Sequence, residues 1–123
     1  MIVGLGLDVV EVKQIADNLN NETYRRKVFT PAEVADCQGI AAASERFAGK
    51  FAAKEACMKA LGKGIQQGVW FTDIEVLHQD SGQPALTTTR TAHDRLQELA
   101  VTRIHVSLSH TAGFAVAVVV LEN

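Results

Sequence analysis

The chain has 123 residues, 47% of them hydrophobic and 21% charged, which supports one core and leaves little room for a second domain. Its net charge of −2 excludes nucleic acid as the main partner, because a phosphate backbone demands a basic surface. The charge is uneven: acids outnumber bases up to residue 45, whereas Arg46, Lys50, Lys54, Lys59 and Lys63 meet only Glu55 over 46–64. Such a segment suits a small anionic ligand.

Residues 2–7, IVGLGL, read as a short buried strand ending at Asp8. A helical pattern through Val12, Ile15, Ala16 and Leu19 follows and stops at Asn20-Asn21. Thr30-Pro31-Ala32-Glu33 marks a second helix start, with threonine as cap, proline in the first turn and glutamate reaching back. The longest helix is expected from about Ala42 to Leu61, with Gly62 as its stop. A strand over 69–77, a turn at Asp80-Ser81-Gly82, a short strand near Ala85–Thr88 and a helix over 90–100 come next. RIHVSLSH, TAG and FAVAVVVL form a β-hairpin whose last strand, apolar on both faces, belongs in the middle of a sheet. The class is α+β, a small antiparallel sheet packed with a long central helix, as a single domain over 1–123.

The opening MIVGLGLDVVEV has no basic leader and the longest apolar run, 112–121, is too short to cross a bilayer. Cys37 and Cys57 form no CxxC and no metal-like spacing, so reduced, buried thiols are expected. A cytoplasmic protein with no membrane partner follows. Gly4-x-Gly6 lacks the third glycine of a dinucleotide fingerprint, and Gly62-Lys63-Gly64 follows a helix instead of opening one.

Three features do not fit a plain core. On a helical wheel Phe47, Phe51, Met58 and Leu61 share an arc that includes or borders Lys54 and Glu55. Charges there are costly unless paired or liganded. They fit either a snorkelling lysine and a Glu55–Lys59 pair on a wet edge, or a site. Asp8, after an apolar run, is either the cap of the next helix or a ligand. His105, Ser107 and Ser109 alternate with Val106 and Leu108, giving either a solvated strand face or a wall for a phosphate pocket. Two acids, five clustered bases and a His/Ser strand suggest a hard-metal phosphate site, since Mg²⁺ takes carboxylates together with substrate phosphates and waters.

Three segments together resemble the holo-acyl-carrier-protein synthase family of 4′-phosphopantetheinyl transferases. They are GLGLDVVEVKQI at 4–15, ERFAGKFAAKEACMKALGKGI at 45–65 and IHVSLSHT at 104–111, with FTDIEV at 71–76 and the Gly82-x-Pro84 turn in matching places. The resemblance implies a fold of that type and a homotrimer with sites in the clefts between subunits. It implies transfer of the phosphopantetheine arm of coenzyme A to a serine of an acyl carrier protein. Asp8 and Glu55 would hold Mg²⁺ and Lys59 would lie beside the pyrophosphate, making these three the catalytic set. The expected coenzyme-binding residues are Arg46, Lys50, Lys54, Lys59 and the Gly62, Lys63, Gly64 turn, joined by His105, Ser107 and Ser109 from the strand. The chain departs from the family pattern at Gln14, where arginine is usual, at Lys50, also usually arginine, and at Lys63, usually a small residue. A metal-dependent pyrophosphatase and a non-catalytic coenzyme A-binding trimer are the alternatives.

Overall fold

The computed structural model describes all of residues 1–123. Its first strand, β1 (Ile2–Glu11), is longer than the expected 2–7 and carries Asp8 in its interior. Asp8 is therefore not a helix cap; Glu11 occupies that position before the short helix α1 (Val12–Ala16). Alternation explains the length. Gly4, Gly6, Asp8 and Val10 face inward, while Leu5, Leu7 and Val9 face out and are more than half exposed.

Helix α1 ends at Ala16, short of the expected stop at Asn20-Asn21, and residues 17–20 are turn; Asn21 instead starts helix α2 (Glu22–Val28), where its side chain accepts a hydrogen bond from the Tyr24 amide. Helix α3 (Pro31–Cys37) opens on the expected capping box, Thr30 and Glu33 exchanging hydrogen bonds with each other's backbone amides. Helix α4 (Ala43–Leu61) ends at Gly62, whose φ of +70° is the left-handed turn that glycine adopts without penalty. The expected strand over 69–77 is a 3-10 turn at Phe71–Asp73 followed by β2 (Ile74–His78). Asp73 shapes that turn by accepting from the Trp70 amide, the Thr91 hydroxyl and the Arg90 guanidinium. Strand β3 (Pro84–Thr88) pairs with β2, and α5 (Arg90–Glu98) leads to the hairpin of β4 (Arg103–Thr111) and β5 (Phe114–Glu122). Ala112 and Gly113 both take positive φ, as a two-residue hairpin turn requires.

The three-stranded sheet runs β1-β5-β4, all antiparallel, so the apolar strand is central as its sequence predicts. Its inner face lies on α4. Ala48, Ala52, Ala56 and Ala60, spaced four apart, form a buried stripe of small side chains. On the strand opposite, a Cβ at Gly6 would run into the carbonyl of Ala56, and one at Gly4 into that of Ala60. Helix and strand thus meet backbone to backbone.

The other side of α4 is held by charge. Lys50 and Lys54 are fully buried, four residues apart, and reach Asp36 and Glu33, three apart on α3, at 2.6 Å each. Lys50 also donates to the Val76 carbonyl and meets the His78 ring; Asp36 accepts from the His78 amide. Burial pushes the Asp36 carboxyl up, but hydrogen bonds from Lys50 and from the His78 amide and ring outweigh it and hold the group at about 2. A carboxyl depressed by folding stabilises the fold above its unfolded value and loses that contribution as pH falls through the folded one. Stability is therefore expected to fall between about pH 4 and pH 2, and Asp36→Asn should flatten that limb in denaturant melts taken across the range. Both cysteines are buried and unpaired, and burial raises Cys37 to about 11 and Cys57 to about 12. They are inert core thiols.

Candidate active site

The glycines that let α4 touch β1 also deliver Asp8 to the helix. Asp8 is the next inward-facing residue after Gly6, and it arrives where α4 carries Glu55 and Lys59, one turn apart. Lys59 Nζ lies 3.2 Å from Asp8 Oδ1 and donates to the Leu7 carbonyl at 2.9 Å. Glu55 is half-buried beside them. Burial pushes its carboxyl above the usual range, the Asp8 charge pushes it further, and Lys59 acts in the opposite direction. Two carboxylates thus share a place that one lysine only partly neutralises.

A cavity of about 370 Å³ opens alongside, lined by Glu55, Met58, Lys59 and the turn over residues 62–67. Gly62, Lys63 and Gly64 all line it, and Lys63 lies 3.6 Å from Glu98 at its edge. The expected residues Asp8, Glu55, Lys59, Gly62, Lys63 and Gly64 are therefore one neighbourhood.

The remaining residues lie elsewhere. Arg46 donates to the Asp36 carbonyl and lines a second cavity of about 340 Å³ with Ser109, His78 and the paired Glu45 and His110. His105 and Ser107 line a third, of about 470 Å³, beside Pro84 and Leu86. Strand register explains the separation. His105, Ser107 and Ser109 lie across from Val120, Val118 and Val116, and through them from Leu5, Leu7 and Val9. That is the sheet face pointing away from α4, whereas Asp8 shares the α4 face with Ala117 and Leu108. Within one chain the sheet stands between Asp8 and His105. Lys50 and Lys54, expected to touch the coenzyme, need correction for a different reason: both are completely buried, with their ammonium groups occupied by Asp36, Glu33 and backbone carbonyls. Glu33 and Asp36 were not singled out as their partners, although the matching three- and four-residue spacings were a usable signal.

A family model described as the 4′-phosphopantetheinyl transferase superfamily matches residues 4–119. A holo-[acyl-carrier-protein] synthase from Koribacter versatilis is 44% identical over the full length of both chains. The chain belongs to the holo-acyl-carrier-protein synthase family. A second synthase, from Halothermothrix orenii, is 43% identical over all of this chain and 99% of its own. The synthase fold matches equally well. The crystal structure of the Neisseria meningitidis synthase superposes with a TM-score of 0.88 at 30% identity, covering both chains completely. A Bacillus anthracis synthase in complex with coenzyme A (3′,5′-ADP) superposes with a TM-score of 0.80 at 39% identity, over 98% of this chain and 96% of that one.

Proposed function

We propose that this chain moves the 4′-phosphopantetheine arm of coenzyme A onto a serine of apo-acyl carrier protein and releases 3′,5′-ADP. The observation that carries the reading is the Asp8, Glu55 and Lys59 cluster at the mouth of a cavity bordered by a glycine turn. The carrier's serine oxygen bonds to the β-phosphorus, the bridging oxygen leaves with 3′,5′-ADP, and the serine proton passes to a base. Lys59 would set its charge beside the pyrophosphate, and the turn over 62–67 would border the bound nucleotide or arm. Asp8 and Glu55 fit a hard divalent cation. They repel each other when empty, and no group of three or more His, Cys, Asp or Glu gathers that could enclose a metal fully. Mg²⁺, which fills its remaining positions with water and phosphate oxygens, would neutralise charge developing on the pyrophosphate. Incubation with Mg²⁺, coenzyme A and apo-carriers tests the reading. The carrier should gain the mass of the arm; an arm released free would make the chain a pyrophosphatase instead.

The open sheet face supports a trimer. Leu5, Leu7 and Val9 are 64%, 55% and 56% exposed, and the sheet places His105, Ser107 and Ser109 along the same face. A contiguous apolar face on a small domain is an interface. In the proposed trimer, with sites in the clefts between subunits, the His105 strand of one chain would stand at the Asp8 side of another. We read the whole chain as one such domain. Leu7→Lys is expected to yield a monomer by light scattering and to lose most activity; a fully active monomer would refute the trimer.

Acyl carriers are typically acidic, and the family resemblance points to a docking surface around the first helix, with Lys13 on α1 and Arg25, Arg26 and Lys27 just beyond it on α2. Arg25 is engaged with the Leu19 carbonyl, leaving Arg26 and Lys27 more exposed. Neutralising Arg26 and Lys27 together should raise the carrier KM, most at low salt, and leave the coenzyme A KM unchanged. An unchanged carrier KM would place docking elsewhere. No helix is long and apolar enough to cross a membrane. With two unpaired thiols, a reducing cytoplasm is the natural location.

A further inference from the structure

The Lys54–Glu33 pair lines none of the three cavities described above yet adjoins the site in sequence, since Lys54 precedes Glu55. Its polar atoms are fully matched. Lys54 donates to Glu33 Oε1 at 2.6 Å, to the Val28 carbonyl at 2.7 Å and to the Phe71 carbonyl at 3.0 Å. Glu33 also accepts from the amides of Thr30 and Val76. One ion pair therefore joins α4 to the end of α2, the start of α3, the 71–73 turn and β2.

Stability alone explains this poorly, because replacing a buried ion pair by apolar residues of similar volume is often neutral or favourable. What the pair supplies is direction. An apolar side chain packs acceptably at several helix rotations, whereas an ammonium with three fixed acceptors fits only one. We propose that the Lys54–Glu33 pair is a positioning device for the transfer reaction: it fixes the rotation of α4 about its axis and thereby aims Glu55 at Asp8. The proposal rests on the transferase reading above.

Helix geometry shows how. With about 100° per residue, Glu55 stands roughly 100° and Lys59 roughly 140° around the axis from Lys54. Ala56 and Ala60, the residues touching Gly6 and Gly4, stand roughly 200–240° around. The glycines set how close the helix lies to β1, and the ion pair sets which way it is turned. Between those two anchors Glu55 and Lys59 face Asp8. At the roughly 5–6 Å radius of the side-chain envelope, a rotation of about 10° shifts a carboxylate by about 1 Å. A misplacement of that size costs roughly 100-fold in rate.

The test uses the full chain as Lys54→Met and as Lys54→Met/Glu33→Gln, the second removing both charges so that neither is stranded. Leu96→Ala, in the core on α5, serves as a variant that is only destabilised. Melting temperature, kcat, both KM values and Mg²⁺ affinity by calorimetry with coenzyme A present are measured well below the lowest melting point. The double variant should melt lower than the wild type, because the Val28 and Phe71 carbonyls and one of the two amides that Glu33 accepts lose their partners; it should also lose at least about tenfold in kcat and bind Mg²⁺ at least about tenfold more weakly. Leu96→Ala should melt lower and keep both. A double variant with wild-type kcat and Mg²⁺ affinity, or losing no more than Leu96→Ala, overturns the proposal. If the wild type binds Mg²⁺ with coenzyme A but modifies no carrier, the transferase reading falls, and the calorimetric comparison still decides the positioning.

Discussion

Glu55→Gln is expected to lower transfer by roughly 100-fold or more while the protein melts no lower than the wild type. The substitution keeps volume and removes charge. In the fold the Glu55 carboxyl is raised by burial and then by Asp8, so folding disfavours its ionised form. At neutral pH, losing that charge relieves a strain on the fold, and stability should hold or rise. Activity should do the reverse, because the proposed cation would lose one of its two carboxylate ligands. Asp8→Asn should lose activity similarly; its melting point is less protected, because Lys59 gives up an ionic partner 3.2 Å away. Steady-state transfer measured across an Mg²⁺ titration, beside thermal melts, checks both. Near-normal turnover of either variant at saturating Mg²⁺ would remove Asp8 and Glu55 from the metal role.

Gly6→Ala is expected to be the most damaging single methyl in the chain. Its Cβ would run into the Ala56 carbonyl, with the Ala60 amide also too close, and backbone atoms cannot swing aside as a side chain can. Overpacking of this kind costs about 1–3 kcal/mol and occasionally more. The strand must move off the helix to fit, which carries Asp8 away from Glu55. Melting temperature and transfer rate should therefore fall together. By contrast, a Cβ at Gly39, Gly82 or Gly113 meets nothing within 4 Å, so alanine there adds only the strain of a positive φ. A Gly6→Ala protein with an unchanged melting temperature would show that the backbone contact can relax freely.

Elements whose signals were local were legible in the sequence. The long helix, its glycine stop, the Thr30 capping box and the central position of β5 all follow from adjacent residues or one strand's composition. Asp8, Glu55 and Lys59 were legible as a set through the family resemblance, and the structure places them together. What could not be read depends on distant partners. The acids that hold Lys50 and Lys54 are 14 and 21 residues away, so although the helical wheel sets Lys54 against the apolar arc, no neighbouring residue names the partner that buries either lysine. The strand carrying Asp8 was cut short because its outward residues are apolar too, which hides the alternation a solvated face would reveal. Helix α2 carries three consecutive bases, Arg25, Arg26 and Lys27, and too few apolar residues in seven to show a helical period.

The contact between α4 and β1 has a consequence for substrate range. It is built from glycines and alanines, so neither surface has a side-chain torsion it could change to admit a larger or differently shaped group. Such a seam is a rigid floor, and adaptation to variant coenzymes must come from parts that can still rearrange. Those are the longer side chains of the turn over 62–67 that border the cavity, Lys63 and Gln66, since Gln67 is held by the Gly64 amide. Differences in acyl cargo are therefore expected to be accommodated at that rim, while the part of the coenzyme proposed to lie at Asp8 and Glu55 stays invariant.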